Sequence, residues 1–548
     1  MHSQVKQFNT ETLLTSKGRN SRVILNPKQS EKVQFEKEKL DNFQTQTGSS
    51  SRFMNKMCNF IRTGAGKKAI PSFYRQHSSS KSRLLEEIYM SKVEYFDINT
   101  NKEKEQRTVV WADSEEILDK IIEARNFHDG VQVKVMADGG QGFLKMCLTV
   151  LPKHYDPSSE KEISEEILEG EEDNNDLAKR SLYSKGGSFG KKGLLTGVNR
   201  LIMLCCVPDV NESYENMKIL FNLTNLNNIP YKFVADLKLT LTVNGLQTAT
   251  ASFPSPVCFV PLQSLRGDTN VNKVTREVKD NESLDGLDEM EGGAESANKE
   301  ELIVVPQCAK LRTFGDIRRD FQKFKDLGSN KIKHGKLCHS TVNEPLFNEP
   351  NAMTVVEKCP PGELHMLCGF VNHLFWDGLV PLLGRARALK WPLSLNLISK
   401  NYHGDIFEGN ACRKLLKNAD SLLQIRHDSK LELLPFVSSL KAMDKVVHQV
   451  FSPTIKPGLD STLAHLNKCV KATGLSETLK MHYILHHIPH ALHYLHGASL
   501  GLWSEQAGES IHRVFLKYWE KYKTNNIHDP AYGDKLKRAV VEFSSRHL

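Results

Sequence analysis

The sequence predicts an α/β core followed by a long helical half, with a polar, basic arm in front. Three observations carry this. Between residues 131 and 245 the apolar residues form short strand-like blocks separated by Gly-rich turns. From about residue 308 they recur at helical spacing. The first 52 residues show neither period and are rich in Gln, Ser and Lys, which predicts disorder.

The elements follow in chain order. After the arm (1–52), residues 53–128 read as a helical segment, and a DNA-binding or dimerisation role for it is implied only by the family resemblance that the later motifs carry. It contains the amphipathic stretch SEEILDKIIEARN (114–126), with Ser114 as its expected N-cap. Residues 129–260 form the mixed core. There, VQVKVMADGGQGFLKMCLTVLP (131–152) reads as two strands and a turn, and RLIMLCCV (200–207) as a third strand. YKFVADLKLTLTVNG (231–245) reads as a strand followed by a helix or a second strand. An acidic loop at about 155–193 and an acidic linker at 261–302 interrupt the pattern. Residues 303–500 are a helical insertion, and 501–548 a C-terminal helical part.

Composition narrows the function. At 548 residues the chain is about three or four typical domains long and can bury the core an enzyme needs. Hydrophobic content of 39% and charged content of 25% are ordinary for a globular chain. No stretch approaches the roughly 18–20 apolar residues of a membrane span, and MHSQVKQFNTETLL lacks the pattern of a secretory leader. An intracellular protein without a membrane partner is expected. Eleven scattered cysteines, with Cys205 and Cys206 adjacent in LIMLCCV, argue for reduced thiols. Residues 1–87 hold 16 Lys and Arg against 7 Asp and Glu, a larger excess than the net +8 of the whole chain. Such an arm suits nucleic acid or an anionic surface, and equally a solvated tail.

Two aspartates stand where strands disfavour them. Asp138 ends VQVKVMA and precedes GGQG, and Asp236 follows YKFVA. Each either marks a strand end or projects with the other at one sheet edge to hold a divalent ion, since Mg²⁺ needs only one or two carboxylates plus water and phosphate oxygens. A third acid is offered by LWSEQAGES. In a helix over 505–522 capped by Ser504, the apolar residues 507, 511, 514, 515, 518 and 519 leave Glu505, Glu509, His512 and Arg513 on the polar face. That face is solvated or lines a cleft. The histidine-rich stretch MHYILHHIPHALHYLH places His482 and His487 at a zinc-ligand spacing. FPSPVCF supplies Cys258, with Ser255 where a C-x-x-C pair needs its first sulfur.

Together these stretches resemble the Transib transposases and the related recombinase that cuts antigen-receptor gene segments in jawed vertebrates. The similarity runs from about residue 60 to the end. ADGGQGF, VADLKL and LWSEQAGES are similar, in order, to the segments bearing the three metal-binding acids of that family, which fall on Asp138, Asp236 and Glu509. GNACRKLL (409–416), HIPHAL (487–492) and RTGAGKKAIPSFYRQHSSSKSRLL (62–85) resemble further family stretches. The resemblance implies a ribonuclease-H-like core interrupted by the helical insertion, and Mg²⁺ or Mn²⁺ on the three acids. It also implies double-stranded DNA as partner, a homodimer, a nuclear location and no small-molecule cofactor. It implies a zinc site mapping onto Ser255, Cys258, His482 and His487, in which Ser255 is a departure because neutral serine is a poor zinc ligand. His486 or water is left to complete the set.

The expected activity is two-metal phosphodiester cleavage and strand transfer. Its alternatives are a catalytically inactive transposon-derived DNA-binding or scaffold protein, and an unrelated helical interaction protein. Arg62, Lys67, Lys68, Arg75, Lys81, Arg83, Arg413 and Lys414 are the candidate phosphate contacts. Changing Lys67 and Lys68 to Ala is expected to lower DNA affinity and flatten its salt dependence. An unchanged slope in a salt titration makes the arm a tail.

Overall fold

Continuous apolar runs build the centre of the sheet and alternating ones its edge. The structure, a computed structural model, describes residues 12–16, 19–23, 85–98, 103–152 apart from 126, 128 and 129, 200–266, 310–398, 406–425, and 430–548 apart from 453, 496, 497, 523 and 525. The chain divides into two units, residues 1–87 and 88–548. In the first, Thr12–Ser16 (β1) and Arg19–Val23 (β2) pair antiparallel. Arg62, Lys67, Lys68, Arg75, Lys81 and Arg83 lie outside the described residues, as do the acidic loop and nearly all of the acidic linker.

The second unit holds a mixed six-stranded sheet and many helices. Its strands are Met90–Asp97 (β3), Lys104–Trp111 (β4), Val131–Gly140 (β5), Phe143–Pro152 (β6), Ile202–Pro208 (β7) and Lys232–Val234 (β8), in spatial order β3-β4-β7-β6-β5-β8. Strands β5, β6 and β7 are antiparallel neighbours, whereas β8 runs parallel to β5. All of β7 is buried, as its unbroken apolar run requires, because a strand covered on both faces has no polar side to show. All nine described cysteines are free thiols.

Two sequence expectations change here. Met90–Asp97 and Lys104–Trp111 are strands, not helix. β3 is an edge strand exposed along most of its length, with only Phe96 and Asp97 buried, so no buried apolar run marks it. The helix Ser114–Arg125 (α1) is capped by Asp113, whose carboxylate accepts the N–H groups of Glu115 and Glu116. The Ser114 hydroxyl is buried and donates to the Asn225 carbonyl instead.

Later helices close over this sheet. Tyr214–Leu223 (α2) and Leu237–Val243 (α3) flank β8, and Phe314–Asp326 (α4) opens the helical half with a Thr313–Asp316 capping box. The Phe347 ring meets Phe221, Phe233 and Phe314 edge-on at 5.6–5.7 Å. One buried aromatic of this kind contributes about 1.5–3 kcal/mol, and this cluster fixes β8 against the helical half. Glu363–His373 (α5) continues through a π turn to Leu383. This is the one described helical stretch long and apolar enough to cross a membrane by length and composition, and half of its apolar window is buried in the protein. The sequence expectation that no stretch comes near a span therefore does not hold. The helix serves here as core, with its Glu363 paired to Arg413. Gly409–Lys417 (α6) packs beside it, Leu434–Val450 (α7) packs on α6 and Leu459–Ala472 (α8) on α7, while Gln506–Tyr522 (α9) lies on β5 and Tyr532–Ser545 (α10) on β3, β4 and β7.

Lys134 ties β5 to the turn before α9. It is fully buried, and its Nζ donates to the Leu502 and Ser504 carbonyls at 3.0 Å each. Burial pushes its ammonium down to about 7, against the opposing pull of Glu505 and Glu363. An unfolded lysine titrates near about 10.4. Between about pH 7 and 10.4 the unfolded chain therefore holds more protons, and stability rises with pH. Lys134→Met is expected to remove that slope, at most about 1.4 kcal/mol per pH unit. Urea unfolding of both proteins at two pH values inside the window measures it.

Candidate active site and metal-ligating cluster

Parallel pairing brings the two strand aspartates together. β5 and β8 match Lys134 with Lys232 and Met136 with Val234. Carrying that register two residues on sets Asp138 against Asp236, at the same end of neighbouring strands. Asp138 is still within β5, whereas Asp236 lies just past β8 and caps α3 by accepting the Leu239 N–H at 2.7 Å. Asp236 is thus a helix cap.

Glu509 arrives on α9 from the far end of the chain. Its Oε1 lies 3.6 Å from His365 Nε2. The other ring nitrogen, Nδ1, is 3.0 Å from Glu505 Oε1, and the His365 backbone N–H donates to that same oxygen at 2.8 Å. From the same helix, His512 Nε2 reaches Asp138 Oδ2 at 2.7 Å. Two imidazoles therefore buttress two of the three acids.

The double glycine of ADGGQG makes these approaches possible. A Cβ on Gly140 would stand 2.7 Å from the His512 ring, and one on Gly139 would stand 2.6 Å from Glu212 Oε1. The Glu212 carboxylate accepts the Gly139 N–H at 2.7 Å and pairs with Lys238 at 2.7 Å.

The acids share one electrostatic environment. Burial raises Glu509 above the ordinary carboxylate range; the Asp138 charge adds to this, while His365 and His512 oppose it. Burial also raises Asp236, opposed by the Leu239 N–H and reinforced by Glu212 and Asp138. Carboxylates that raise one another's pKa are relieved by a cation between them. For His365, burial works against the charge, but the hydrogen bond and charge of Glu505 prevail and raise it to about 9. The three acids do not close on a point. Among the described residues, two groups of three ligating side chains have all their ligand atoms within 4.8 Å, and neither includes these acids.

Glu505 does not share the polar face with Glu509. It is 4% exposed and packs on Gly362, where a Cβ would stand 2.5 Å from its carboxylate. Arg413, a candidate DNA contact, pairs with buried Glu363 at 3.1 Å, and Lys414 Nζ donates to the Leu395 carbonyl at 2.6 Å. The sequence missed His365 and Glu212. A single imidazole in the apolar run GELHMLCGF was the only signal for His365, and Glu212 had none.

The histidine-rich stretch meets Cys258 as its spacing suggested. Cys258, His482 and His487 are buried with their ligand atoms within 4.8 Å of one another. The helix over 479–494 widens into a π turn at Tyr483–His487. A π turn aligns residues five apart, which an α-helix does not, so His482 and His487 face the same way with ring centroids 5.0 Å apart. His482 Nε2 lies 3.4 Å from Cys258 Sγ. Zinc bonds of about 2.0–2.3 Å place neighbouring ligand atoms about 3.3–3.6 Å apart on a tetrahedron, so this pair has the spacing of a zinc edge. Ser255 lies beside the Cys258 thiol. Its Oγ lies 3.3 Å from Cys258 Sγ and accepts the N–H groups of Val257 and Cys258 at 3.2 Å. The residues fit three of the four zinc ligands, with a hydroxyl in place of the fourth thiolate.

No family model matches this chain, and no curated protein matches it either.

Proposed function

We propose that this protein is a DNA-cleaving and strand-joining enzyme of the DDE type, similar to the Transib transposases, with Asp138, Asp236 and Glu509 as its metal-holding acids. The observation that carries the reading is the parallel β5–β8 register, which sets two acids from distant sequence positions at one sheet edge. The antiparallel β5, β6 and β7 with β8 added parallel to β5 support a ribonuclease-H-like core. Mg²⁺ or Mn²⁺ held by these carboxylates would supply an activated attacking oxygen and charge neutralisation at the leaving one. The chain's own part is to orient the acids. Asp138 is fixed by strand pairing and His512, Asp236 by its cap, and Glu509 by His365. Lysines and arginines of the basic arm supply salt-sensitive affinity for double-stranded DNA. Cutting paired ends calls for two such sites, hence a homodimer, acting in the nucleus. Cys258, His482 and His487 would hold a structural zinc ion beside the cleft.

A second reading is a catalytically inactive DNA-binding or scaffold protein of the same origin. Ser255 in place of a thiolate favours it, as does the wider spacing of the three acids. Nicking of supercoiled DNA by purified protein in Mn²⁺ decides between them. Metal-dependent nicking is expected; salt-sensitive binding without nicking supports the scaffold reading.

A further inference from the structure

We propose that this chain carries a second transition-metal seat, formed by Glu477, His482 and His486 and joined to the Cys258 seat through the His482 ring. The two ring nitrogens of His482 face different ligand groups. Nε2 lies 3.4 Å from Cys258 Sγ, and Nδ1 lies 2.8 Å from Glu477 Oε1. The same Glu477 oxygen is 3.3 Å from His486 Nε2, and the ligand atoms of the three residues fall within 4.8 Å of one another.

A carboxylate that only orients a zinc-bound imidazole needs one partner. Here one oxygen faces nitrogens of two different rings. The 3.3 Å separation from His486 matches the ligand edge of a tetrahedral ion with bonds of about 2.0–2.1 Å. The closer Glu477–His482 pair is hydrogen-bonded, as such partners are before an ion separates them.

His486 stands beside His482 at ordinary helical spacing, four residues on, with ring centroids 4.6 Å apart, while the π turn frees His487, five residues on, for the Cys258 side. Two imidazoles and a carboxylate with an open position form the donor set of catalytic zinc and of non-haem iron sites. The Glu477 side chain is 30% exposed, so solvent reaches the open position. When both seats fill, the His482 ring binds through both nitrogens and its remaining N–H proton passes to solvent. The proposal shares His482 with the zinc reading and is independent of the nuclease reading.

Cobalt titration of the demetallated chain tests it. Asp138→Asn and Glu509→Gln serve as background, so that the acid cleft takes up no ion. Two Co²⁺ per chain are expected, with a thiolate-to-cobalt absorption band from Cys258. Glu477→Gln, and separately His486→Gln, should each remove one ion and keep the band. Cys258→Ser should remove the band and keep the ion at Glu477. Binding of a single ion, with the band, that is unaltered by Glu477→Gln overturns the second seat and leaves the Cys258 seat standing. Two ions retained in both Glu477→Gln and His486→Gln overturn it as well.

Discussion

Glu509→Gln lowers Mn²⁺-dependent nicking of supercoiled DNA by at least about 100-fold and leaves DNA affinity unchanged. Losing a single preorganised charge-stabilising group costs about 10²–10³ in rate, and a ligand that also places the metal costs no less. Glutamine keeps the size and helix-forming tendency of glutamate, so α9 and its buried face on β5 persist. Only the negative charge beside Asp138 and His365 disappears. Asp138→Asn should match it. His512→Gln should cost less, about 10–100-fold, because His512 holds Asp138 instead of the ion. Equal nicking by wild type and Glu509→Gln places the activity in another protein and removes the catalytic reading. Loss of DNA binding in Glu509→Gln instead makes the residue structural.

Arg312→Met destabilises the protein by about 3–5 kcal/mol, seen as a lower urea midpoint and melting temperature. Arg312 is fully buried. Its Nε donates to the carbonyls of Ser255 and Cys258 at 3.0 and 3.1 Å, its terminal nitrogen donates to the His339 carbonyl at 2.9 Å, and its guanidinium stacks 4.4 Å from the Phe259 ring. Burial pushes the guanidinium down to about 10, with Cys258 and nearby acids pulling back. Methionine fills much of the volume but leaves three buried carbonyls without that donor, each costing about 1–3 kcal/mol. Two of those carbonyls belong to the loop that presents Cys258. Cobalt or zinc uptake at Cys258 should therefore weaken in the same variant. An unchanged midpoint means the loop is held by the Cys258–Leu311 bridge alone.

Much of this was legible in local patterns. The strands over 131–152 and 200–207 were visible because a strand buried on both faces is an unbroken apolar run, and a half-buried one alternates. The polar face of α9 was legible for Glu509 and His512, though not for Glu505, which the Gly362 gap admits into the interior. Strand β3 was missed because its outer face is open, so periodicity saw too few buried positions. Ser114 was misread as a cap because its hydroxyl bonds a carbonyl more than a hundred residues away.

By itself the sequence determined the strands over 131–152 and 200–207 and the helical character of the second half, where the unwelcome acids stood, and that His482, His487 and Cys258 formed a possible ligand set. These follow from period, propensity and spacing, which act over a few residues. Only the tertiary structure decided that Asp138 and Asp236 stand at the same end of parallel neighbours β5 and β8, that His365 and Glu212 join them, and that His482 faces both Cys258 and Glu477. Those outcomes depend on which distant surfaces bury each other, a property of the whole chain's packing that no local stretch encodes.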